Sequence, residues 1–393
     1  MEAIDALEII QLIKKNASDS CVYLDDGVLG LFGIIILAQA LVSNRSIKLI
    51  TISNETFYYK AVKELASSLK NIKTLKTLEF NRISMLSIAS TLKLGEVLQF
   101  NSSITVFGLS SCNINNLTLF KFVEALKGNT SLKTLNLNNN KFNATGVKLL
   151  FKGLVYIVGL EELSIKNNNL GDLGGCAIAD GLSLNNICLK KLDIGYCFIG
   201  NKGAQSIAKV LKKNSSLTSL MIDHNNISYD SLYGLLEILK DNHTLICFYA
   251  TYSSYSIEHN DNTYMININY TPLVLLVCDI LRLNPKFEKM YLPTIEFNYN
   301  HLKLLLDEIK NHKHIQDIYY RPKYSNTMYN SYIIEIISIL KKNKLLHMLV
   351  SIRCALKYHF ILTKLPEEMW MSICDYLPYE DLVNFHEFLS LEY

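Results

Sequence analysis

One segment, residues 131–228, constrains the fold of the 393-residue chain more than any other, because it repeats the same pattern four times. Each copy holds three apolar residues at the spacing of Leu132, Leu135 and Leu137, followed by an asparagine or cysteine, which is Asn140 in this copy. The period is 28 or 29 residues, and the other copies begin at Leu160, Leu189 and Leu217. A fixed period of this length indicates stacked copies of one supersecondary unit rather than an ordinary globular domain.

The L-x-x-L-x-L-x-x-N/C core of each copy is the sequence mark of leucine-rich repeats. Its L-x-L portion predicts a short strand whose alternate side chains point inward, and the second half, such as residues 203–211, has apolar residues at helical spacing. One copy cannot bury its own apolar face, so neighbouring copies must stack strand beside strand and helix beside helix. The period with a full helix resembles the ribonuclease-inhibitor class of leucine-rich repeats, also found in NOD-like receptors. This resemblance implies an α/β solenoid with parallel β-strands on its concave side and α-helices on its convex side.

The same register continues on both sides of this segment, with further copies starting at Ile47, Leu75, Ile104, Leu245, Phe287, Ile315 and Leu345. We therefore predict about eleven repeats over residues 25–352. A helical cap and first strand are expected in residues 1–24, and a C-terminal helical segment in residues 353–393. Residues 251–270 are polar and rich in tyrosine and asparagine, and they interrupt the period as an insertion. The helices expected between strands include residues 60–69, 118–127, 232–240, 273–282 and 332–341.

Composition and charge exclude several classes of partner. The net charge of +3 and the pI of about 8.2 are too weak a bias to indicate nucleic acid or an anionic membrane. The apolar run Val28–Val42 has 15 residues, fewer than the roughly 18 to 20 that cross a bilayer. Nine dispersed cysteines, and an acidic N-terminal stretch without a signal-peptide pattern, indicate a reducing, cytoplasmic compartment. On this expectation the N-x-S/T sequons, for example at Asn129 and Asn214, reflect only an asparagine-rich composition.

Residue types that could carry catalysis form no recognisable pattern. The nine histidines are not paired at the spacing of a metal site or a general base, so we predict no metal, no cofactor and no enzymatic activity. Glycines that could be mistaken for a phosphate loop are instead assigned to strand-to-helix bends, where glycine relieves a tight turn. They are Gly171, Gly174, Gly175, Gly200 and Gly203.

Residues 365–389, LPEEMWMSICDYLPYEDLVNFHEFL, differ in kind from the repeats. Pro366 suits the first turn of a helix, and the two glutamates after it suit the positive end of the helix dipole. The segment resembles the first half of an F-box, and the chain ends at Tyr393 before a third helix, as in poxviral and some intracellular-bacterial ankyrin proteins. The resemblance implies docking on the Skp adaptor of a cullin–RING ubiquitin ligase through Leu365, Pro366, Met369, Ile373, Leu377 and Leu382. The alternative is a helical cap that seals the last repeat.

A second candidate site lies on the concave face, where the residue between the second and third core positions of each strand points to solvent. In chain order this column reads Thr51, Glu79, Gly108, Asn136, Ser164, Asp193, Met221, Tyr249, Tyr291, Tyr319 and Leu349. Exposed tyrosine and methionine are typical of binding hot spots. We therefore predict that Met221, Tyr249, Tyr291 and Tyr319 bind a target protein. The alternative is that the insertion folds over these side chains and buries them.

Two main hypotheses of function follow from these features. In the first, the solenoid is a substrate receptor that recruits an unknown target to a Skp–cullin–F-box ubiquitin ligase, in the host cytoplasm if the source is a virus or an intracellular bacterium. In the second, the chain is a plain repeat scaffold or NOD-like sensor fragment without a ubiquitin-ligase link. A GTPase activator, which also occurs on this repeat class, is a third hypothesis.

Overall fold

The computed structural model describes residues 13, 21–25, 29–84, 86–184, 188–250, 271–291, 304–305, 307–309 and 317–319. Contacts separate the chain into two compact units, Met1–Tyr264 and Met265–Tyr393. The predicted insertion 251–270, the predicted helix 332–341 and the C-terminal segment 353–393 lie outside the described residues.

In its described part, the first unit alternates short strands with helices, and each strand pairs in parallel with the next one in sequence. The strands are β1 Cys21–Leu24, β2 Leu49–Ser53, β3 Thr77–Asn81, β4 Val106–Ser110, β5 Thr134–Asn136, β6 Glu162–Ser164, β7 Lys191–Asp193, β8 Ser219–Met221 and β9 Cys247–Tyr249. The helices are α1 Gly30–Ser43, α2 Tyr59–Leu69, α3 Ile88–Phe100, α4 Asn116–Ala125, α5 Ala144–Leu154, α6 Gly171–Leu182, α7 Asn201–Leu211 and α8 Tyr229–Leu239. This order confirms the predicted α/β repeat solenoid.

The second unit repeats the same elements. It contains helix α9 Thr271–Leu283 and strands β10 Lys289–Tyr291 and β11 Asp317–Tyr319, which pair in parallel. Residues 304–305 and 307–309, between the two strands, are helical. The repeat pattern therefore resumes after the predicted insertion.

Alternation along most strands of the first unit separates a buried face from a solvent face. In β2 the side chains of Ile50 and Ile52 are buried, whereas those of Leu49, Thr51 and Ser53 stay half-exposed. The three predicted core positions are buried in all four copies of the central segment. The apolar face of the sheet and the apolar faces of the helices thus form one core, and the core positions were correctly predicted from the L-x-x-L-x-L spacing.

Buried phenylalanines carry this core from one repeat to the next. The ring centroids lie 5.3 Å apart for Phe57 and Phe80, 6.1 Å for Phe80 and Phe107, and 5.6 Å for Phe107 and Phe122. Aromatic pairs at such distances add about 0.5–1.5 kcal/mol beyond the burial of their surface. Because the first two of these contacts cross repeat boundaries, the stability of one repeat depends on its neighbours.

Polar side chains at the N-cap fix where several helices begin. Ser87, Asn115, Asn143 and Ser228 each accept a hydrogen bond from a backbone N–H two or three residues further on. Such caps satisfy N–H groups that have no partner inside the helix. They explain why α4 begins two residues, and α8 three residues, before the predicted starts at 118 and 232.

Two other helix starts are capped by a carboxylate from a neighbouring repeat. Glu55 is only 2% exposed, and its carboxylate accepts the N–H of Leu29 at 2.7 Å and of Gly30 at 3.2 Å. Asp172 of α6 accepts the N–H of Gly203, in the first turn of α7, at 2.6 Å. A carboxylate is stabilised at the positive end of the helix dipole, so these contacts tie adjacent repeats together.

A buried asparagine after the strand bridges a central repeat to the one before it. The Asn140 amide donates to the carbonyls of Leu109 at 2.7 Å and Leu137 at 3.0 Å. Its carbonyl oxygen accepts the N–H groups of Cys112 at 3.1 Å and Ile114 at 3.0 Å. One side chain thereby satisfies four buried backbone groups, which explains the predicted asparagine at this position.

Cysteine takes this position in two repeats. The thiols of Cys112 and Cys197 donate to the carbonyls of Phe80 and Ile165, each at 3.4 Å. Burial raises the pKa of both thiols to about 12. These cysteines therefore remain protonated and structural at neutral pH.

A second set of asparagines, which the sequence did not lead us to predict, closes the passage from helix to strand. The Asn101 amide donates to the carbonyls of Leu69 and Ile72 in the preceding repeat, both at 2.8 Å. Its carbonyl oxygen accepts the N–H of Ser103 at 2.8 Å and of Ile104 at 3.1 Å. The same bridging contacts recur at Asn44, Asn129, Asn214 and Asn242.

Each of these five asparagines begins an N-x-S/T sequon. The serine or threonine of the sequon also contributes. The Ser103 hydroxyl donates to the backbone carbonyl of Ile72 at 2.9 Å, and the Thr244 hydroxyl donates to the backbone carbonyl of Asn214 at 3.3 Å. The prediction that the sequons reflect only composition was therefore wrong. At these positions the motif fastens the end of one helix to the next strand.

The glycines depart in part from the prediction of tight turns. Gly171 does adopt a positive φ of 60°. Gly174, Gly175 and Gly203 instead lie inside helices α6 and α7, where a Cβ on Gly175 would come within 2.7 Å of the Gly203 Cα. Gly175 and Gly203 let the two helices approach closely, whereas a Cβ on Gly174 would come within 2.5 Å of the Leu170 side chain.

Most of the apolar run Val28–Val42 lies in helix α1, Gly30–Ser43, as the register required. Its inner side is buried through Ile34, Leu37 and Leu41. In the part of the chain that the structure describes, no helix is long and apolar enough to cross a membrane.

We predict that Leu163→Ala lowers the free energy of unfolding by about 2–5 kcal/mol, because it opens a cavity in the shared core. Leu173→Ala is the matched control, since Leu173 is 71% exposed and its truncation should change stability by less than about 0.5 kcal/mol. Chemical denaturation followed by circular dichroism measures both. Equal effects of the two substitutions would contradict the assignment of Leu163 to the core.

Asn101→Ala should destabilise the protein by about 3 kcal/mol or more, because it leaves buried carbonyl and N–H groups without partners. Asn226 is also the first residue of a sequon, but it is exposed, so Asn226→Ala should cost less than about 0.5 kcal/mol. The same denaturation experiment compares the two. Similar losses at both positions would show that sequon asparagines are not bridging groups.

The cysteines should differ sharply in reactivity. In the folded protein Cys21 and Cys188 are exposed and should be alkylated by iodoacetamide at pH 8, whereas the raised pKa and burial of Cys112 and Cys197 should protect them until denaturant is added. Mass-spectrometric peptide mapping reads out each site. Rapid labelling of Cys112 or Cys197 without denaturant would contradict their placement.

Candidate functional site

The solvent face of the parallel sheet is the candidate functional site of the first unit, since strand pairing aligns one outward position per repeat. We call this row the column; it consists of Tyr23, Thr51, Glu79, Gly108, Asn136, Ser164, Asp193, Met221 and Tyr249. Its members are the residues read from the sequence, with Tyr23, 65% exposed, added at the start. The column therefore presents one side chain from each successive strand on a single surface.

The character of the column changes along the sheet. From β2 to β6 it is mostly small or polar, and at Gly108 a Cβ would lie 3.3 Å from the side chain of Glu79. From β7 to β9 it consists of Asp193, Met221 and Tyr249, all half-exposed. Adjacent strands lie about 4.8 Å apart, so a carboxylate, a thioether and a phenol ring stand next to one another. We call these three residues the Asp–Met–Tyr strip.

Two polar contacts hold the Asp193 carboxylate in place. One oxygen accepts the N–H of Gly195 at 3.0 Å, and the other lies 3.1 Å from the Ser164 hydroxyl. That hydroxyl is also 2.7 Å from the Asn138 side-chain oxygen, and it has one hydrogen to share between the two acceptors. Among the described residues, no lysine or arginine forms an ion pair with Asp193. Its negative charge is therefore oriented but not neutralised.

Asp223 lies beside this strip, with 16% of its side chain exposed. Burial raises the pKa of its carboxyl, and the nearby charge of Asp193 adds to this effect, while Lys166 at 3.9 Å opposes it. The imidazole of His224 lies 4.0 Å away, and burial lowers its pKa, so it is neutral at pH 7. Among the described residues, the ion pairs thus set one cation, Lys166, against the two carboxylates of Asp193 and Asp223.

An aromatic pair borders the two carboxylates. The rings of Tyr196 and His224 stack at 4.2 Å with an angle of 20° between their planes, and the Lys166 ammonium lies 4.9 Å from the Tyr196 centroid. Both residues adopt a left-handed backbone, with φ of 55° and 53°. Tyr196 keeps 40% of its surface exposed. The pair is therefore a rigid aromatic surface at the rim of the sheet face.

Sequence reasoning missed this pair, although a signal was present. The residue directly before the bridging asparagine or cysteine takes a left-handed backbone in successive repeats, and it is asparagine in two of them, Asn139 and Asn167. Tyrosine at such a position is uncommon, because a bulky side chain is disfavoured in that conformation, whereas histidine, like asparagine, is enriched there. Aligning the repeats by sequence would therefore have shown that Tyr196 and His224 stand where two other repeats have asparagine.

Charges at the other end of the strands are paired. Glu161 lies 3.0 Å from Lys133 and 2.7 Å from Lys190, and Glu162 lies 2.6 Å from Lys191. Hydrogen bonds from Lys190 and Lys133 lower the pKa of Glu161 to about 2. These neutralised acids contrast with Asp193, which has no such partner among the described residues.

The remaining predicted site residues fall in two places. Tyr291 and Tyr319 pair across β10 and β11 in the second unit, as the register predicted. The predicted adaptor-binding residues Leu365, Pro366, Met369, Ile373, Leu377 and Leu382 lie outside the described residues, as does Leu349, the last residue of the concave-face row read from the sequence. Within the described ranges, no group of three or more histidine, cysteine or acidic side chains could hold a metal ion. The binding roles of all these residues stay predictions.

Comparison with known proteins agrees with this architecture. The family model described as "Leucine Rich repeat" matches residues 128–151, 160–179 and 185–208. The human centrosomal protein of 78 kDa is 25% identical over 231 residues, which are 52% of this chain and 33% of that protein. The mouse NACHT, LRR and PYD domains-containing protein 4C is 27% identical over 225 residues, 50% of this chain and 22% of that protein. The chain thus spans a third or less of the length of these relatives.

Among solved structures, the leucine-rich repeat-containing protein LegL7 from Legionella pneumophila is similar over 87% of this chain and 95% of its own, with 13% identity and a TM-score of 0.47. The assignment of this chain as a leucine-rich repeat protein rests on the matched repeats and on the parallel order of strands and helices in the structure. The chain contains leucine-rich repeats, and these fold as an α/β solenoid.

Proposed function

We propose that the chain is a non-enzymatic, protein-binding solenoid whose sheet face takes up a target protein. The observation that carries this proposal is the column, because strand pairing brings Asp193, Met221 and Tyr249 side by side on one surface. Stacked repeats create extended surfaces on which each repeat contributes a few side chains to a partner. Tyrosine and methionine on such a surface are residues that dominate binding energy at interfaces.

The same proposal includes Tyr291 and Tyr319, which continue the repeat register in the second unit. In that unit we propose that they contact a target in the same way. Tyrosine suits this role, since it supplies a large rigid contact area together with one hydroxyl group for hydrogen bonding.

We further propose that the target is delivered to a Skp–cullin–F-box ubiquitin ligase. The support is the sequence of residues 365–389, in which L-P-x-E and Y-L-P-x-x-D-L flank a helical pattern as in an F-box. Leu365, Met369 and Ile373 would enter an apolar groove of the Skp adaptor as helix-borne anchors. A helical cap on the last repeat would need an amphipathic helix but neither flanking motif. This role places the chain in the cytoplasm, that of the host if the source is a virus or an intracellular bacterium.

Co-precipitation with purified eukaryotic Skp adaptor tests the ubiquitin-ligase proposal. We expect the full chain to bind the adaptor. A chain truncated after Thr363 should not bind it, because the truncation removes the apolar anchors. Ile373→Ala should weaken binding at least tenfold, whereas Leu173→Ala, an exposed leucine of the solenoid, should leave it unchanged.

Circular dichroism of the truncated chain supplies the folding control. Loss of adaptor binding counts only if the truncated chain keeps the spectrum and melting transition of the solenoid. Absence of binding by the folded full chain would reject the ubiquitin-ligase link and leave a plain repeat scaffold, the second hypothesis.

A further inference from the structure

We infer that the Asp–Met–Tyr strip binds a segment of a partner protein in which a positively charged side chain stands next to an apolar one. The inference rests on the proposed function, because it names the class of target that the sheet face takes. It is carried by the charge, the exposure and the spacing of the strip and of its neighbours Asp223 and Tyr196.

Charge is the first argument. The acids at the amino end of the neighbouring strand β6 are paired with lysines at 2.6–3.0 Å, whereas Asp193 forms no ion pair with a lysine or arginine in the described part of the chain. Asp223 has Lys166 at the longer distance of 3.9 Å. The chain as a whole carries a net charge of +3, so this negative spot is a local feature rather than a consequence of composition. A partner cation would supply the missing charge.

Hydrogen-bonding capacity is the second argument. Each Asp193 oxygen has one polar contact, with the N–H of Gly195 or the hydroxyl of Ser164. A carboxylate offers about four lone-pair sites, so lone pairs on both oxygens stay available. The two contacts also fix the orientation of the carboxylate, which lowers the entropic cost of receiving a guanidinium or ammonium group.

The apolar neighbours are the third argument. Met221 and Tyr249 follow Asp193 at steps of about 4.8 Å, the spacing of adjacent strands. Side chains three or four residues apart on a helix are separated by about 5–6 Å, so a helical segment with a basic residue followed by apolar residues matches the strip. The exposed ring of Tyr196 extends the apolar contact surface beside the carboxylates.

A phage-displayed library of random dodecapeptides, selected against the full chain, tests this inference. Peptides eluted from the wild-type chain should be enriched in arginine or lysine next to apolar residues. Fluorescence anisotropy with a selected synthetic peptide should then give a dissociation constant that rises at least tenfold in Asp193→Asn, which is isosteric and keeps the contacts with Gly195 and Ser164. Asp241→Asn is the matched control, because it makes the same change at an exposed aspartate after helix α8, outside the column, and it should leave binding unchanged.

Charge reversal separates a direct ion pair from a structural effect. Asp193→Lys should abolish binding of the selected peptide, and replacing the basic residue of the peptide by glutamate should restore binding to the Asp193→Lys chain alone. Peptides without excess basic residues, equal binding by Asp193→Asn, or failure of the folded chain to select any peptide would each overturn the inference.

These experiments distinguish failure of the inferred partner class from failure of the proposed binding on the sheet face. Peptides that lack basic residues but lose affinity on Tyr249→Ala would reject the partner class while supporting target binding on the sheet face. Peptides insensitive to both Asp193→Asn and Tyr249→Ala would reject the sheet face itself.

Discussion

Asparagine side chains buried between repeats are the interaction on which the rest of this structure depends. The chain reverses direction twice in every repeat, and each reversal buries backbone groups that secondary structure leaves without partners. Asn140 and Asn225 satisfy such groups where the chain leaves a strand, and Asn101 and Asn242 where it leaves a helix. In each case the amide bonds to the preceding repeat, so the groups that complete one turn also align the next. Leucine and isoleucine together supply most of the buried apolar side chains, and the asparagines fix their register.

A fixed register gives the chain a surface on which neighbouring residues are far apart in sequence. Asp193, Met221 and Tyr249 come from three repeats, yet strand pairing places them about one strand spacing apart. The core and the bridging positions are constrained by packing, whereas Asp193, Met221 and Tyr249 of the column stay half-exposed. Substitutions at these three positions should therefore change the binding surface at little cost to the core.

Much of the fold was predictable because the repeat carries its own signal. The spacing of Leu160, Leu163 and Ile165 predicted strand, burial and stacking together, and all three are buried. The column was predictable for the same reason, since side-chain direction alternates along a strand. Helix starts were less accurate, because a cap such as Asn115 or Ser228 lies outside the apolar pattern used to place the helix.

Features that depend on contacts between repeats could not be read from one repeat. The sequon at Asn101 was taken for composition, although its role follows from carbonyl groups about 30 residues earlier in the chain. Gly175 was assigned to a turn, although its constraint is the approach of Gly203 on the next helix. The Tyr196–His224 stack likewise joins two repeats, and each residue taken alone shows only an exposed loop position.

Hydrogen–deuterium exchange of the full chain, with and without a bound partner peptide, is the most direct test of the claim that the sheet face is the binding surface. The account predicts slower exchange in residues 191–196, 219–224 and 247–249, with little change in helices α6 to α8. Protection confined to the helices, with the strands unchanged, would place the binding surface on the opposite side of the solenoid and contradict the account.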